Sequence, residues 1–137
     1  MLKNSVTRAA LAVAIGAIPG ALSRYYITEY TKSVFGKDFA YYGTFFINVT
    51  GCLIIAYLLT LAAERIRNFS PELRLMLTTG FCGAYTTFST FGLETRTLLD
   101  KGDSTTLIYW LGSIIVGMLG VNLGVMLARL NQKSSLE

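Results

Sequence analysis

Gly80-Phe81-Cys82-Gly83-Ala84-Tyr85-Thr86-Thr87-Phe88-Ser89-Thr90-Phe91 decides how this chain is read. The stretch lies within an uncharged run from Leu75 to Leu93, about the length that crosses a bilayer, since a helical span takes roughly 20 apolar residues. Yet it carries two close glycines, Gly80 and Gly83, alternating phenylalanines, and five Thr or Ser residues between Thr79 and Thr90. A helix facing lipid has no use for that many hydroxyls at its centre. Polar or non-helical backbone persists at membrane depth only where protein buries it or a wet cavity touches it. The expectation is a broken or strained third helix whose centre faces a partner or a pathway.

Composition points to the same setting. The 137 residues are 53% hydrophobic and 15% charged, with no histidine, and the length suits a single domain. Apolar residues gather in long charge-free blocks instead of alternating with charge, which is the membrane pattern. The formal charge of +4 comes from Lys and Arg at the block edges, where headgroups lie. No basic stripe or aromatic-interleaved patch marks a nucleic-acid partner. Cys52 and Cys82 fall inside apolar spans and read as small buried thiols. Without His or a CxxC pair, zinc and thiol redox chemistry lack their usual ligands.

Working outward, Ser70-Pro71-Glu72 reads as the start of the third helix, with Ser70 as N-cap and Pro71 at the first helical position. That span covers about 73–99 and is followed by a tight turn around Gly102. The fourth span, about 105–128, carries Tyr109 and Ser113 four apart, a small-residue face of Gly117, Gly120 and Gly124, and an intramembrane amide at Asn122. The second span, about 43–63, is uncharged. Its Thr44 and Asn48 are four apart and so share a helical face, with Gly51 one turn beyond. An Asn in a span either hydrogen-bonds another helix or lines a polar path. The first span, about 9–27, has a Gly16-x-x-x-Gly20 contact face and Pro19, which loosens or kinks it. Arg24 sits near its end beside Tyr25 and Tyr26, either as an interface anchor or as a cation that draws an anion or ties helices together. Glu29 to Asp38 then reads as a short polar connection. The apolar run Ala9 to Leu22 behind Lys3 and Arg8 also imitates a signal peptide, but its removal would leave an odd three-span remnant.

Four spans place Lys3, Arg8, Arg65, Arg67, Arg74, Arg129 and Lys133 on one side and Arg24, Lys32, Lys37, Arg96 and Lys101 on the other. So even a division hardly chooses an orientation under the positive-inside rule. Four short helices enclose little space, so an oligomer is expected.

The polar residues of the spans are hydroxyls and amides, which donate hydrogen bonds. Phe88 and Phe91 share a helical face with Glu94 and offer positive ring edges, though packing is the ordinary use of such rings. No acidic residue falls in the deeper parts of the spans, where a cation or proton relay would need one. Donors without carboxylates suit a small anion, whose lost hydration must be replaced. Two other classes are weighed against a pathway. A small multidrug-type exporter needs a membrane-embedded carboxylate, and the first span has none. A structural subunit of a membrane complex would use the same small-residue faces and amides. An enzyme would lack a His base, metal ligands or paired carboxylates.

The segments Gly16-x-x-x-Gly20-Ala21-x-x-Arg24-Tyr25, Gly43-Thr44-x-x-x-Asn48-x-x-Gly51 and Gly80-Phe81-Cys82-Gly83-x-x-Thr86-Thr87-Phe88-Ser89-Thr90-Phe91 together resemble the Fluc (CrcB-type) fluoride channels. The third is highly specific, and the order and spacing of the other two agree with it. The resemblance covers Ala9 to Arg129.

The resemblance implies an all-α membrane protein of four transmembrane helices per subunit, in an antiparallel, dual-topology homodimer with two fluoride pores. It also implies a third helix broken near Gly83 to Thr86. A structural sodium ion is implied at the dimer centre, bound by backbone carbonyls of Gly83 and Thr86 from both subunits; unwound carbonyls are a known membrane site for sodium. Phe88 and Phe91 match the family's pore phenylalanines and Asn48 its pore amide, with Ser89 and Thr90 continuing the hydroxyls. Tyr109 and Ser113 fall on a polar track of the fourth helix, which Gly117 interrupts. Thr44, Glu94 and Arg24 match vestibule positions. The implied function is passive fluoride export across the cell (inner or plasma) membrane, giving resistance to fluoride, with membrane lipid, fluoride and a second copy of the chain as partners.

Overall fold

The computed structural model describes residues 2–64, 70–102 and 104–130. Helix α1 is Leu2–Phe35, and a single 3-10 turn, Lys37–Phe39, leads into α2, Tyr41–Glu64. The third segment comes in two pieces. The first, α3, is helical backbone over 71–85, made of Pro71–Leu75, a π-wound stretch Met76–Cys82, and Gly83–Tyr85. The second, α4, is Phe88–Asp100. Helix α5 is Thr105–Leu130.

Three of these helices are long and apolar enough to cross a membrane: the α1 stretch Asn4–Phe35, the α2 stretch Lys37–Glu64, and Thr105–Leu130. At 1.5 Å per residue the 13 residues of α4 reach only about 20 Å, short of the ~30 Å hydrocarbon core. The third crossing therefore needs α3 and α4 together. Large apolar side chains such as Ile18, Leu107, Ile108 and Met118 point outward, as they do when the solvent is lipid. This is a multi-pass membrane protein.

The first helix differs from its expected extent. Its 34 residues span about 50 Å, passing through Pro19 and on through Glu29–Phe35, which composition had marked as a polar connection. Apolar content locates the bilayer and not the end of a helix. Here the stop is Gly36, whose φ of 92° no helix accommodates and whose N–H still donates to the Lys32 carbonyl at 3.0 Å. The start of α3 matches its local signal: the Ser70 hydroxyl accepts from Leu73 N–H at 3.1 Å with Pro71 at the first position. The turn before α5 is closed by Gly102, φ 65°.

Contacts along the helices fix their directions. Arg8 pairs with Glu72 at one end of α1 and α3, and Arg24 reaches Thr86 further on, so these two run parallel. Tyr41 meets Tyr109 at the start of α2 and α5, and Glu64 pairs with Arg129 at their ends, so these are parallel as well. That is the pattern of a chain crossing four times in alternation. It places the Arg8–Glu72 and Glu64–Arg129 pairs at one end of the bundle, and the Asp38–Lys101 pair at the other. Arg65, Arg67 and Lys133 of the charge comparison lie outside the described residues.

Glycine permits both parallel contacts. A Cβ on Gly16 would collide with the Met76 carbonyl, and one on Gly80 would come within 2.6 Å of the Val13 carbonyl oxygen. The π-wound stretch therefore lies flat on α1, backbone to backbone. A Cβ on Gly124 would likewise collide with the Leu53 carbonyl of α2, and one on Gly120 would sit 3.1 Å from the Val49 carbonyl. Small residues let helices approach where lipid supplies no hydrophobic drive for association. Where α2, α4 and α5 converge, Tyr41, Phe91, Leu98 and Tyr109 form a buried cluster with Phe45 packed against it.

Candidate functional site

The site forms around the two residues between α3 and α4. The last helical bonds of α3 reach the Cys82 carbonyl, which accepts the Thr86 N–H at 3.0 Å and the Thr86 Oγ1 at 3.0 Å. Thr86 and Thr87 are then extended (φ −80°, ψ 159° and φ −150°, ψ 120°). The Thr87 N–H would close the next helical bond on the Gly83 carbonyl, but it donates to Asn48 Oδ1 at 2.9 Å. Asn48 Nδ2 donates back to the Thr87 carbonyl at 3.0 Å. One side-chain amide of α2 thus satisfies both backbone groups of Thr87, as backbone at this depth requires.

Helix α4 restarts on the same residue. Thr87 Oγ1 accepts from the Thr90 N–H at 3.2 Å, the usual N-cap bond. The same oxygen donates to Thr90 Oγ1 at 3.0 Å and lies 3.3 Å from Ser89 Oγ. The Ser89 and Thr90 hydroxyls are therefore gathered at the cap. On the other side Arg24 Nη1 donates to the Thr86 carbonyl at 3.4 Å, so this arginine turns toward the break and ties α1 to it. Thr50 Oγ1 and the Tyr85 hydroxyl, 2.9 Å apart, fasten α2 to α3 beside it.

A groove of about 380 Å³ opens along this break. Asn48, Gly83, Thr86, Phe88, Phe91 and Ser113 all line it. The two phenylalanines differ in setting: Phe91 is 9% exposed and belongs to the buried cluster, while Phe88 is 84% exposed on the rim. Their ring centroids are 6.0 Å apart at 39°. Ser113 Oγ donates to the Tyr109 carbonyl of its own helix at 2.6 Å, which leaves its oxygen lone pairs to the groove.

One turn past Phe91 lies an arrangement that the sequence reading had only as uncertain vestibule positions. The Glu94 carboxylate is half-buried and takes two hydroxyls, Thr44 Oγ1 on Oε1 at 2.9 Å and the Tyr109 hydroxyl on Oε2 at 2.8 Å. Thr44 is 1% exposed. Glu94 lies beside Thr44 and Tyr109, near the starts of α2 and α5, and those two helices close over it. Spacing puts Thr44 one turn before Asn48 and Glu94 three residues after Phe91, but it does not say that they meet. Thr87, the residue the Asn48 amide grips, had no assigned role, since nothing local marks it. Asn122 stands apart, donating to the Met118 carbonyl of its own helix at 3.0 Å.

Among the described residues no group of three or more His, Cys, Asp or Glu could hold a metal ion. Backbone oxygens could. The Thr86 carbonyl belongs to an extended residue, and the Gly83 carbonyl does not receive the Thr87 N–H. A Cβ at Gly83 would meet nothing within 4 Å, so the position is open. Backbone carbonyls without a helical partner are the oxygen donors a hard monovalent cation takes, and these two are of that chemistry, with the Thr86 oxygen also receiving Arg24 Nη1.

Comparison with known proteins gives this arrangement a lineage. Residues 11–125 match the family described as CrcB-like protein, Camphor Resistance (CrcB). The chain belongs to the CrcB family. Among its curated relatives, a protein of Trichormus variabilis named fluoride-specific ion channel FluC is 48% identical over 131 residues, covering 95% of each chain. One of the same name from a Synechococcus species is 48% identical, covering 90% of this chain and 94% of its own. Another, from Chloroflexus aurantiacus, is 47% identical over 87% of this chain and 94% of its own. These CrcB relatives bear the name of an ion channel, not of an enzyme.

Proposed function

We propose that this CrcB protein is a fluoride-selective channel that lets fluoride leave the cell passively, down its gradient, and so confers resistance to fluoride. The observation that carries the reading is the groove at the helix break, where Asn48, Ser113, Phe88 and Phe91 converge in a chain whose relatives bear the name of a fluoride channel. The physical case is one of size and donor strength. A small, strongly hydrated anion enters an apolar medium only if donors replace its water. The Asn48 amide hydrogen not given to Thr87, hydroxyls that turn from their present acceptors to the ion, and aromatic edges form a narrow path that serves fluoride and fails larger halides.

In this reading Asn48, Phe88, Phe91, Ser89, Thr90, Tyr109, Ser113 and Thr44 line the path, with Arg24 and Glu94 at its vestibules. Two copies of the chain assemble antiparallel in the cell (inner or plasma) membrane, each contributing a pore. The nearly even division of Lys and Arg between the two ends supports insertion in both orientations. The carbonyls of Gly83 and Thr86 from both copies would hold a structural sodium, which would supply positive charge at the dimer centre. Arg24, already donating to the Thr86 carbonyl, adds a second positive charge beside that place.

The test is efflux from liposomes holding the purified protein, read with a fluoride electrode, with chloride-loaded vesicles as control. Fast fluoride release without chloride release is the expected result. Equal passage of the two ions, or no release from folded protein, would overturn the reading.

A further inference from the structure

We infer that Tyr41, at the first residue of α2, is a positioning residue for the ion path, acting through Tyr109 on Phe91 and Glu94. The inference rests on the fluoride-channel reading and deepens it. Tyr41 itself lines no part of the groove, whose walls include Phe91 and Ser113. It is nonetheless buried, and its ring centroid lies 5.4 Å from that of Tyr109 at 59°. Tyr109 in turn stands 5.1 Å from Phe91 at 51°. Both spacings fall in the range of favourable tilted aromatic pairs. Tyr109 thus contacts two rings, one outside the groove and one on its wall.

The orientation of Tyr109 matters because its hydroxyl is committed, donating to Glu94 Oε2 at 2.8 Å. A tyrosine ring has two torsions to fix, and a hydrogen bond at the tip does not by itself fix both. The faces must be packed. Phe91 and Tyr41 both pack against the Tyr109 ring. Tyr41 is in turn held, with Tyr42 at 4.6 Å and Phe39 at 6.1 Å between centroids. The element that orients Tyr109 is therefore anchored to the connection between α1 and α2 and does not depend on the groove. When this ring is removed, Tyr109 gains room on its outer side. Its hydroxyl swings off Glu94, and the Phe91 ring loses the surface that sets its tilt toward the path.

The experiment compares Tyr41→Leu, which removes the ring and keeps apolar bulk, with Tyr41→Phe, which keeps the ring. Both full-length proteins go into liposomes at low protein density, where the fraction of active vesicles and the rate within each active vesicle are read separately. Tyr41→Phe, which keeps the ring and loses only the hydroxyl, is expected to stay well above Tyr41→Leu. Tyr41→Leu is expected to lower the fluoride rate per active vesicle by about tenfold or more, the scale of effect a small misplacement of working groups produces. A Tyr41→Leu protein that loses only active vesicles, at an unchanged rate in each, has a folding defect alone and overturns the inference. So does a Tyr41→Phe protein as slow as Tyr41→Leu, because the ring would then not be the acting part. Failure of the wild type to release fluoride would instead overturn the channel reading, so the two failures are distinct.

Discussion

Asn48 and Thr87, 39 residues apart, exchange two hydrogen bonds: Asn48 Nδ2 donates to the Thr87 carbonyl at 3.0 Å, and the Thr87 N–H donates to Asn48 Oδ1 at 2.9 Å. An amide can do this because it carries a donor and an acceptor side by side. Few other side chains can.

Asn48→Asp removes the donor and keeps the acceptor. The Thr87 carbonyl then loses its partner, at a cost of about 1–3 kcal/mol for an unsatisfied buried group, and a negative charge faces the groove. Fluoride efflux is expected to fall at least about tenfold, the rate equivalent of about 1.4 kcal/mol. An Asn48→Asp channel with wild-type efflux in the liposome assay would remove the clamp from the mechanism.

The two phenylalanines should separate stability from conduction. Phe91→Ala empties part of the buried cluster and is expected to cost about 3 kcal/mol of stability, as deletions of core rings do. Phe88→Ala, at a residue mostly exposed, should leave the thermal midpoint in detergent close to wild type while slowing fluoride efflux. Equal loss of stability in both variants would contradict the different settings of the rings.

Close approach of α2 and α5 predicts a contrast between two glycines of one helix. A side chain on Gly124 meets the Leu53 carbonyl and lies 3.0 Å from the Tyr57 nitrogen, whereas one on Gly112 meets nothing within 4 Å. Gly124→Val should cost about 1–3 kcal/mol or more, the range for overpacking, and lower the yield of folded protein. Gly112→Ala should be neutral or slightly stabilising, since alanine is the better helix former by roughly 1 kcal/mol. The thermal midpoints of the two variants check this.

Sodium removal probes the carbonyl site. Exchange of sodium for the bulky cation N-methyl-D-glucamine on both sides of the membrane should lower the thermal midpoint and slow fluoride efflux, because anything bound only by the folded protein stabilises it. If both quantities stay unchanged, the Gly83 and Thr86 carbonyls hold no structural ion.

The sequence by itself determined the membrane character, the apolar spans, the glycine faces of α1 and α5, the Ser70-Pro71 helix start and the turn at Gly102. Each follows from residue type and short-range spacing: hydropathy sets what lipid accepts, and a cap or a positive φ is decided within a few residues. It also brought forward several residues of the groove, Phe88 and Phe91 within one motif and Asn48 and Ser113 on the neighbouring spans. Only the tertiary structure decided that Asn48 spends both ends of its amide on Thr87, that Arg24 turns to Thr86, and that Glu94 is enclosed by Thr44 and Tyr109. It also decided the extent of α1 and the π-wound stretch lying on it. The polar contacts among these depend on which groups meet across 15 to 62 residues of chain. Periodicity carries no record of that choice, because a hydroxyl or amide on a helix face has the same local signature whether it meets a neighbour, an ion or its own backbone.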